Sequence, residues 1–92
     1  MKNRNKIIAT KIMGLPDSWI CSYADYTNPI HDYMVLQKVR DTWSDDDIQL
    51  FIGCLFQFYS DRTEDPALLF LQYCSGDYSN AALRVLEFTN KL

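Results

Sequence analysis

The chain is poor in the residues that usually carry chemistry: one histidine, three cysteines and three glycines among 92 residues. A single imidazole, His31, with scattered cysteines is too few for a closed zinc site of common spacing. Cys21, Cys54 and Cys74 are odd in number, and no two have metal-ligand or redox spacing. That usage fits a reducing, cytoplasmic setting. The one glycine-centred turn signal, Ser75-Gly76-Asp77, is too short of glycine to cradle phosphates. No apolar run approaches eighteen residues, so no membrane span is expected. The N-terminus has lysine and arginine without an apolar core region, so no signal peptide is expected either.

Excess positive charge is also lacking. The net charge is −3, and it is unevenly spread. Lys2, Arg4, Lys6 and Lys11 give the first sixteen residues +4, residues 17–77 carry −8, and the remainder +1. An acidic body argues against direct nucleic-acid binding, which needs several convergent cations. The basic opening turn reads as a solvated helix face.

What the chain does have is apolar and aromatic surface: 48% hydrophobic residues, with six tyrosines, five phenylalanines and two tryptophans. Ninety-two residues make a single domain, 1–92, with a modest core. The most apolar stretch runs from Ser44 to Tyr59. As a strand it shows no clean alternation. As a helix, Gln49, Gly53 and Gln57 fall at i, i+4 and i+8 and form one narrow stripe, with apolar residues around the rest of the cylinder. Ser44 with Asp47 three residues on resembles a capping box. Asp45, Asp46 and Asp47 suit the positive end of a helix dipole. The spacing therefore predicts a central helix that its neighbours or a partner chain must cover.

Around it, residues 1–14 predict a first helix capped by Asn3 or Asn5. Ile8, Ile12 and Leu15, with Ile7 and Met13, face the core; Lys6 and Lys11 point outward, and Gly14 and Pro16 stop the helix. Residues 15–28 read as loop, with 19–23 as a short strand or extended segment. Asn28-Pro29 opens a second helix to about Trp43. Its apolar face is Ile30, Tyr33, Met34, Leu36, Val39 and Trp43, with Asp32, Lys38 and Asp41 toward water. The short link to the central helix predicts that the two pack side by side. Asp65-Pro66 repeats the cap-then-proline signal, and residues 67–74 are a short helix or a buried strand. Asp77 or Ser79 then caps a last helix to about Asn90, with Ala82, Val85, Leu86 and Thr89 inward, Leu83 and Phe88 widening that face, and Arg84 and Glu87 on the rim. The fold class is mostly α: a compact bundle of four to five short helices, with one or two short strands at most. The alternative is an α+β sandwich.

No catalytic constellation emerges. Asp32, next to His31, projects about 100° away on the helix, and nothing positions a hydroxyl and a carboxylate around the imidazole. Consecutive aspartates on a helix point in different directions, so Asp45, Asp46 and Asp47 cannot converge on one metal ion. No cofactor, metal or small-molecule ligand is implied. The surplus of apolar area is the feature that points to a role, because a contiguous apolar patch marks a partner site. Asp45, Asp46, Asp47, Phe51, Phe58 and Tyr59 are the candidate partner contacts. A homodimer through such a patch is the simplest way to cover it.

Several segments resemble a family of small bacteriophage and prophage proteins, the phage ABA-sandwich type. Ile8-Ala-Thr-Lys-Ile-Met-Gly14 is similar to its opening motif, with Leu15 where a tryptophan usually stands. Asn28-Pro29-Ile30-His31-Asp32-Tyr33 and Val35-Leu-Gln-Lys-Val39 resemble its second helix. Thr42-Trp-Ser-Asp-Asp-Asp47 resembles a later helix start, and Gly76-Asp-Tyr-Ser-Asn-Ala-Ala-Leu-Arg-Val-Leu86 resembles the closing helix. The resemblance implies a phage or prophage origin and a non-enzymatic accessory role in the host cytoplasm. Two other functions follow from the residues: an inhibitor of a host nucleic-acid-binding defence factor whose acidic loops imitate phosphates, and a small enzyme using His31 or Cys21.

Overall fold

A computed structural model describes residues 4–16 and 24–92. The expected start of the first helix with its Asn3 cap, the short strand expected over 19–23 and the cysteine at position 21 lie outside the described residues. Among the described residues the chain is mostly helical and contains no strand, a mostly-α bundle of short helices. Its extents are 45 × 26 × 22 Å.

The first helix, α1, is a single α-turn, Arg4–Ile7, that widens into a π-helical turn, Ile8–Ile12. The Met13 N–H donates to the Ile8 carbonyl at 2.9 Å, the five-residue reach of a π-turn. Ile8 and Ile12 are buried there, as their spacing predicts, and Ala9 is buried with them. Leu15, expected beside them, is exposed, because Gly14 at φ +73 has already turned the chain away. Asn5 does not cap this helix. Its Oδ1 accepts from the Tyr26 N–H at 3.2 Å and ties down the loop before the second helix.

Helix α2, Pro29–Thr42, starts where Asn28-Pro29 places it, with Asn28 Oδ1 accepting from the Ile30 N–H at 2.9 Å. Helix α3, Asp45–Arg62, is capped by Ser44, whose Oγ accepts from the Asp47 N–H at 3.3 Å. A 3-10 helix, Pro66–Leu71, follows under an Asp65 cap and settles the helix-or-strand choice for that segment. Helix α4, Asp77–Phe88, ends in a Schellman motif: the Lys91 N–H donates to the Leu86 carbonyl and the Asn90 N–H to the Glu87 carbonyl, with Asn90 at φ 56.

The helix at the middle of the bundle is α4. It packs against α3, α2 and the π-turn of α1, and Ala81, Ala82, Val85 and Leu86 are buried along it. Helices α2 and α3 do not lie side by side as their short link predicts, because α4 is wedged between them. The link itself explains this. Trp43 and Ser44 are extended, at ψ 153 and 159, so α3 leaves in a new direction rather than folding back along α2. Phe51 is the one residue of α3 that is fully enclosed, edge-on to Trp43 with ring centroids 6.2 Å apart. The expectation that the molecule covers α3 on all sides does not hold.

Polar groups, more than apolar ones, set how α4 sits. Its N-cap is Gly76 at φ +97, a position that has no side chain to cap with. The cap comes from α2. Asp32 Oδ1 accepts from the Ser79 N–H at 2.8 Å and its hydroxyl at 2.7 Å, while Oδ2 accepts from the Gly76 and Tyr78 N–H groups at 3.1 Å and the Tyr73 hydroxyl at 2.6 Å. A carboxylate at a helix N-terminus satisfies orphan donors and the dipole together. Asp32 is therefore fully buried, although its place in the sequence suggests a water-facing residue. The turn of α2 that brings Asp32 inward carries Ile30, Tyr33 and Met34 outward, and all three are exposed instead of forming the core face.

Asp77 and Ser79 are likewise buried partners inside the helix rather than its cap. Arg62 at the end of α3 grips Asp77 with Nη1 and Nη2 at 2.5 and 2.8 Å, and the Cys74 N–H donates to the same carboxylate. At the other end of the pair, Lys91 Nζ reaches Asp47 at 2.9 Å. α3 and α4 thus run antiparallel and are joined by an ion pair at each end.

Candidate functional site

Two places in the molecule have enough unusual chemistry to be considered: the buried polar node where α2, α3 and α4 meet, and the outer half of α3. The node contains a carboxylate, a hydroxyl and phenols in contact, a combination that can in principle move protons. Its geometry uses them otherwise. Both oxygens of Asp32 are filled by donors from the chain itself. The Tyr73 phenol is held well above its ordinary range, first by burial and then by the Asp32 carboxylate that it donates to. The residues of the node are a fastening, and Asp77 with Arg62 extends it. His31 stands apart from it. Its Nδ1 is 3.2 Å from the Asp25 carbonyl and its ring meets the edge of Tyr26.

The outer half of α3 is different in kind. Leu50, Ile52 and Phe56 are exposed on it, and the 3-10 helix adds Leu68, Phe70 and Leu71. Phe70 is 81% exposed, so the 3-10 helix carries this apolar side chain outward. Two hollows flank α3. One, of ≈ 240 Å³, lies against the 3-10 helix between Phe56 and Leu69, with Glu64 and Asp65 on its rim. The other, of ≈ 590 Å³, runs along the α3–α4 seam past Leu50, Gly53 and Gln57 to Asp61, with Arg84 and Phe88 opposite. A further recess of ≈ 330 Å³ at the α2–α3 link is crossed by the Asp47–Lys91 bridge.

The residues that the sequence nominates as partner contacts are divided by the fold. Phe51 is enclosed in the core. Phe58 and Tyr59 are half-buried on the inward side of α3. Phe58 lies under the guanidinium groups of Arg62 and Arg84, at 6.0 and 5.5 Å from its ring centroid. Burial, then the neighbouring Tyr78 and Asp77, push the Tyr59 phenol up to about 12. Asp47 is engaged by Lys91, while Asp45 and Asp46 are exposed. The three aspartates therefore differ in the fold, one paired and two open to solvent. Among the described residues no group of three or more histidine, cysteine or carboxylate side chains is arranged to hold a metal ion, and no helix is long and apolar enough to cross a membrane.

The exposed residues that matter, Ile52 and Phe56, lie at i+1 and i+5 from Phe51, about 100° and 140° round the cylinder. Sequence periodicity shows that α3 is apolar on both sides, and cannot show which side faces in. Cys54 is half-buried at the seam, and burial pushes its thiol up, which disfavours the reactive thiolate. In comparisons with protein-family models, curated proteins and solved structures, no match to this chain was found.

Proposed function

We propose that this chain is a small non-enzymatic interaction protein that binds a protein partner through the outer half of α3. The observation that carries this reading is that a helix apolar on both sides has one side in the core and the other uncovered, with Ile52 55% and Phe56 53% exposed. Large side chains in that state are favoured in interfaces and costly to leave in water. The resemblance to phage and prophage proteins supports an accessory role in a host cytoplasm, where the partner would be a host protein. The engagement of Asp47 by Lys91 weighs against the reading in which the three aspartates imitate phosphates.

The test compares the parent chain with an Ile52→Gln/Phe56→Gln variant in crosslinking capture from host extract. A defined set of proteins should be retained by the parent and lost from the variant, with both melting at the same temperature. Identical capture by the two would remove the reading.

A further inference from the structure

We propose that the α3–α4 seam, at Gly53, receives an amphipathic helix whose apolar stripe carries lysine or arginine at both ends. This rests on the reading of α3 as a partner surface and names the chemistry of the partner. The hollow there is the larger of the two beside α3, at ≈ 590 Å³, and it is walled by Leu50 on one helix and the 68%-exposed Phe88 on the other. A shallow trough between two antiparallel helices is the shape into which a third helix lays its apolar face.

Gly53 is the second indication. Glycine inside a helix is destabilising relative to alanine. Nothing lies within 4 Å of the place a Cβ would occupy, so packing within this chain does not require a glycine there. The open space at Gly53 leaves room for another backbone to come close.

Charge selects the occupant. Asp46, exposed, stands one turn before Leu50 on the same face, and Asp61 closes the far end, where the Gln57 amide donates to it at 3.0 Å. The distance between them along α3 is about 22 Å at 1.5 Å per residue, roughly four helical turns. The one cation lining the seam, Arg84, is drawn over the Phe58 ring. A second copy of this chain is a poor occupant: two-fold antiparallel docking about Gly53 sets Asp45 and Asp46 of each protomer against Asp61 of its partner, and like charges across an interface reject a partner.

The test titrates the full chain with two synthetic 18-residue amphipathic helices that share a leucine stripe, one bearing lysine and the other glutamate on its polar positions, and follows amide chemical shifts. The lysine peptide should bind at least tenfold more tightly than the glutamate peptide, less so at high salt, with shifts centred on Leu50, Gly53, Gln57 and Phe88. Gly53→Leu should cut that affinity at least tenfold. Gly53→Ala should raise the melting temperature by roughly 4 °C while weakening binding, which separates docking from folding. Equal binding of the two peptides in the seam overturns the charge assignment and leaves the partner surface standing. So does a peptide footprint confined to Ile52, Phe56 and Leu69, because the seam is then not the site. Sedimentation showing a dimer that Gly53→Leu dissolves would also overturn the inference, by making a second copy the occupant. Loss of capture by the Ile52→Gln/Phe56→Gln variant is scored separately and bears on the wider reading alone.

Discussion

Helices α3 and α4 are neighbours, run antiparallel and share a seam, yet they are held in opposite ways. The two are alike in apolar composition, yet α3 has one enclosed residue, Phe51, while α4 buries six, of which Asp77 and Ser79 are polar. Greasiness alone therefore does not decide which element becomes the centre of a small bundle. α4 is central because donors and acceptors on three other elements converge on it. Asp32 on α2 caps it, Arg62 on α3 grips its first turn, and Arg4 on α1 donates to Asn80 Oδ1 at 3.1 and 2.7 Å. Burial lowers the Arg4 guanidinium from its ordinary value, and the Asp32 and Asp25 carboxylates act in the opposite direction.

The sharpest way to break the comparison is to remove the cap. Asp32→Ala leaves three backbone N–H groups at the start of α4 and the Tyr73 hydroxyl without their acceptor, while the Ser79 hydroxyl keeps the Tyr26 carbonyl at 3.2 Å. The substitution should cost about 4 kcal/mol by urea unfolding, where Asp41→Ala on the exposed side of α2 should change stability by less than about 0.5 kcal/mol. Next is a pair on α3 itself. Phe51→Ala should cost about 3 kcal/mol and Phe56→Ala about 0.5 kcal/mol or less, the same chemical change on opposite sides of one helix. Equal costs would mean that α3 is enclosed after all.

The Arg62–Asp77 pair should give a smaller effect. Arg62→Met should cost about 2 kcal/mol near neutral pH, less than for a wholly buried pair because the arginine is one-third exposed. Burial opposes charge on Asp77, but the Arg62 bonds and the Cys74 N–H outweigh it and hold the carboxyl below its ordinary 3.8. Since the folded value is the depressed one, this stabilisation is present above pH 3.8 and is lost as the pH falls through the folded value. Melting temperatures between pH 5 and 2 should fall in the parent and fall less in Arg62→Met. On the alkaline side the sign reverses. Tyr59 is raised from 10.0 to about 12, chiefly by burial, and Tyr73 and Tyr78 move the same way. Their contribution is present below pH 10 and is lost as the pH rises toward 12. Tyrosinate absorbance should appear together with unfolding, and Phe56→Ala should not change that midpoint.

What could be read from the residues was local. Asn28-Pro29, Ser44, Gly14 and Asp65-Pro66 mark their boundaries correctly because a cap or a stop acts on bonds only a few residues away. What could not be read was which face turns inward. On α2 the apolar stripe of Ile30, Tyr33 and Met34 suggests one orientation, and the acceptor demand of a helix 44–47 residues later imposes another. That demand leaves one trace in the sequence: α4 begins at Gly76, which has no side chain to cap it. Asp77 and Ser79 nearby hide the trace by looking like caps themselves. The outer face of α3 was legible as apolar and illegible as exposed, so Phe51, Phe58 and Tyr59 stood in for the residues that carry the open surface, Ile52 and Phe56.

The reach of Asp32 has a consequence for how the chain is made. Synthesis runs from the N-terminus, so when α2 has left the ribosome its carboxylate must wait for Ser79, 47 residues further on, before the bond that holds it can form. Until then α2 has only the short first helix to rest on, and α3 has its greasy side and its future inner side equally bare. The nascent polypeptide is therefore most prone to capture by chaperones, or by its own neighbours, during the interval in which its most apolar segment is complete and its centre does not yet exist.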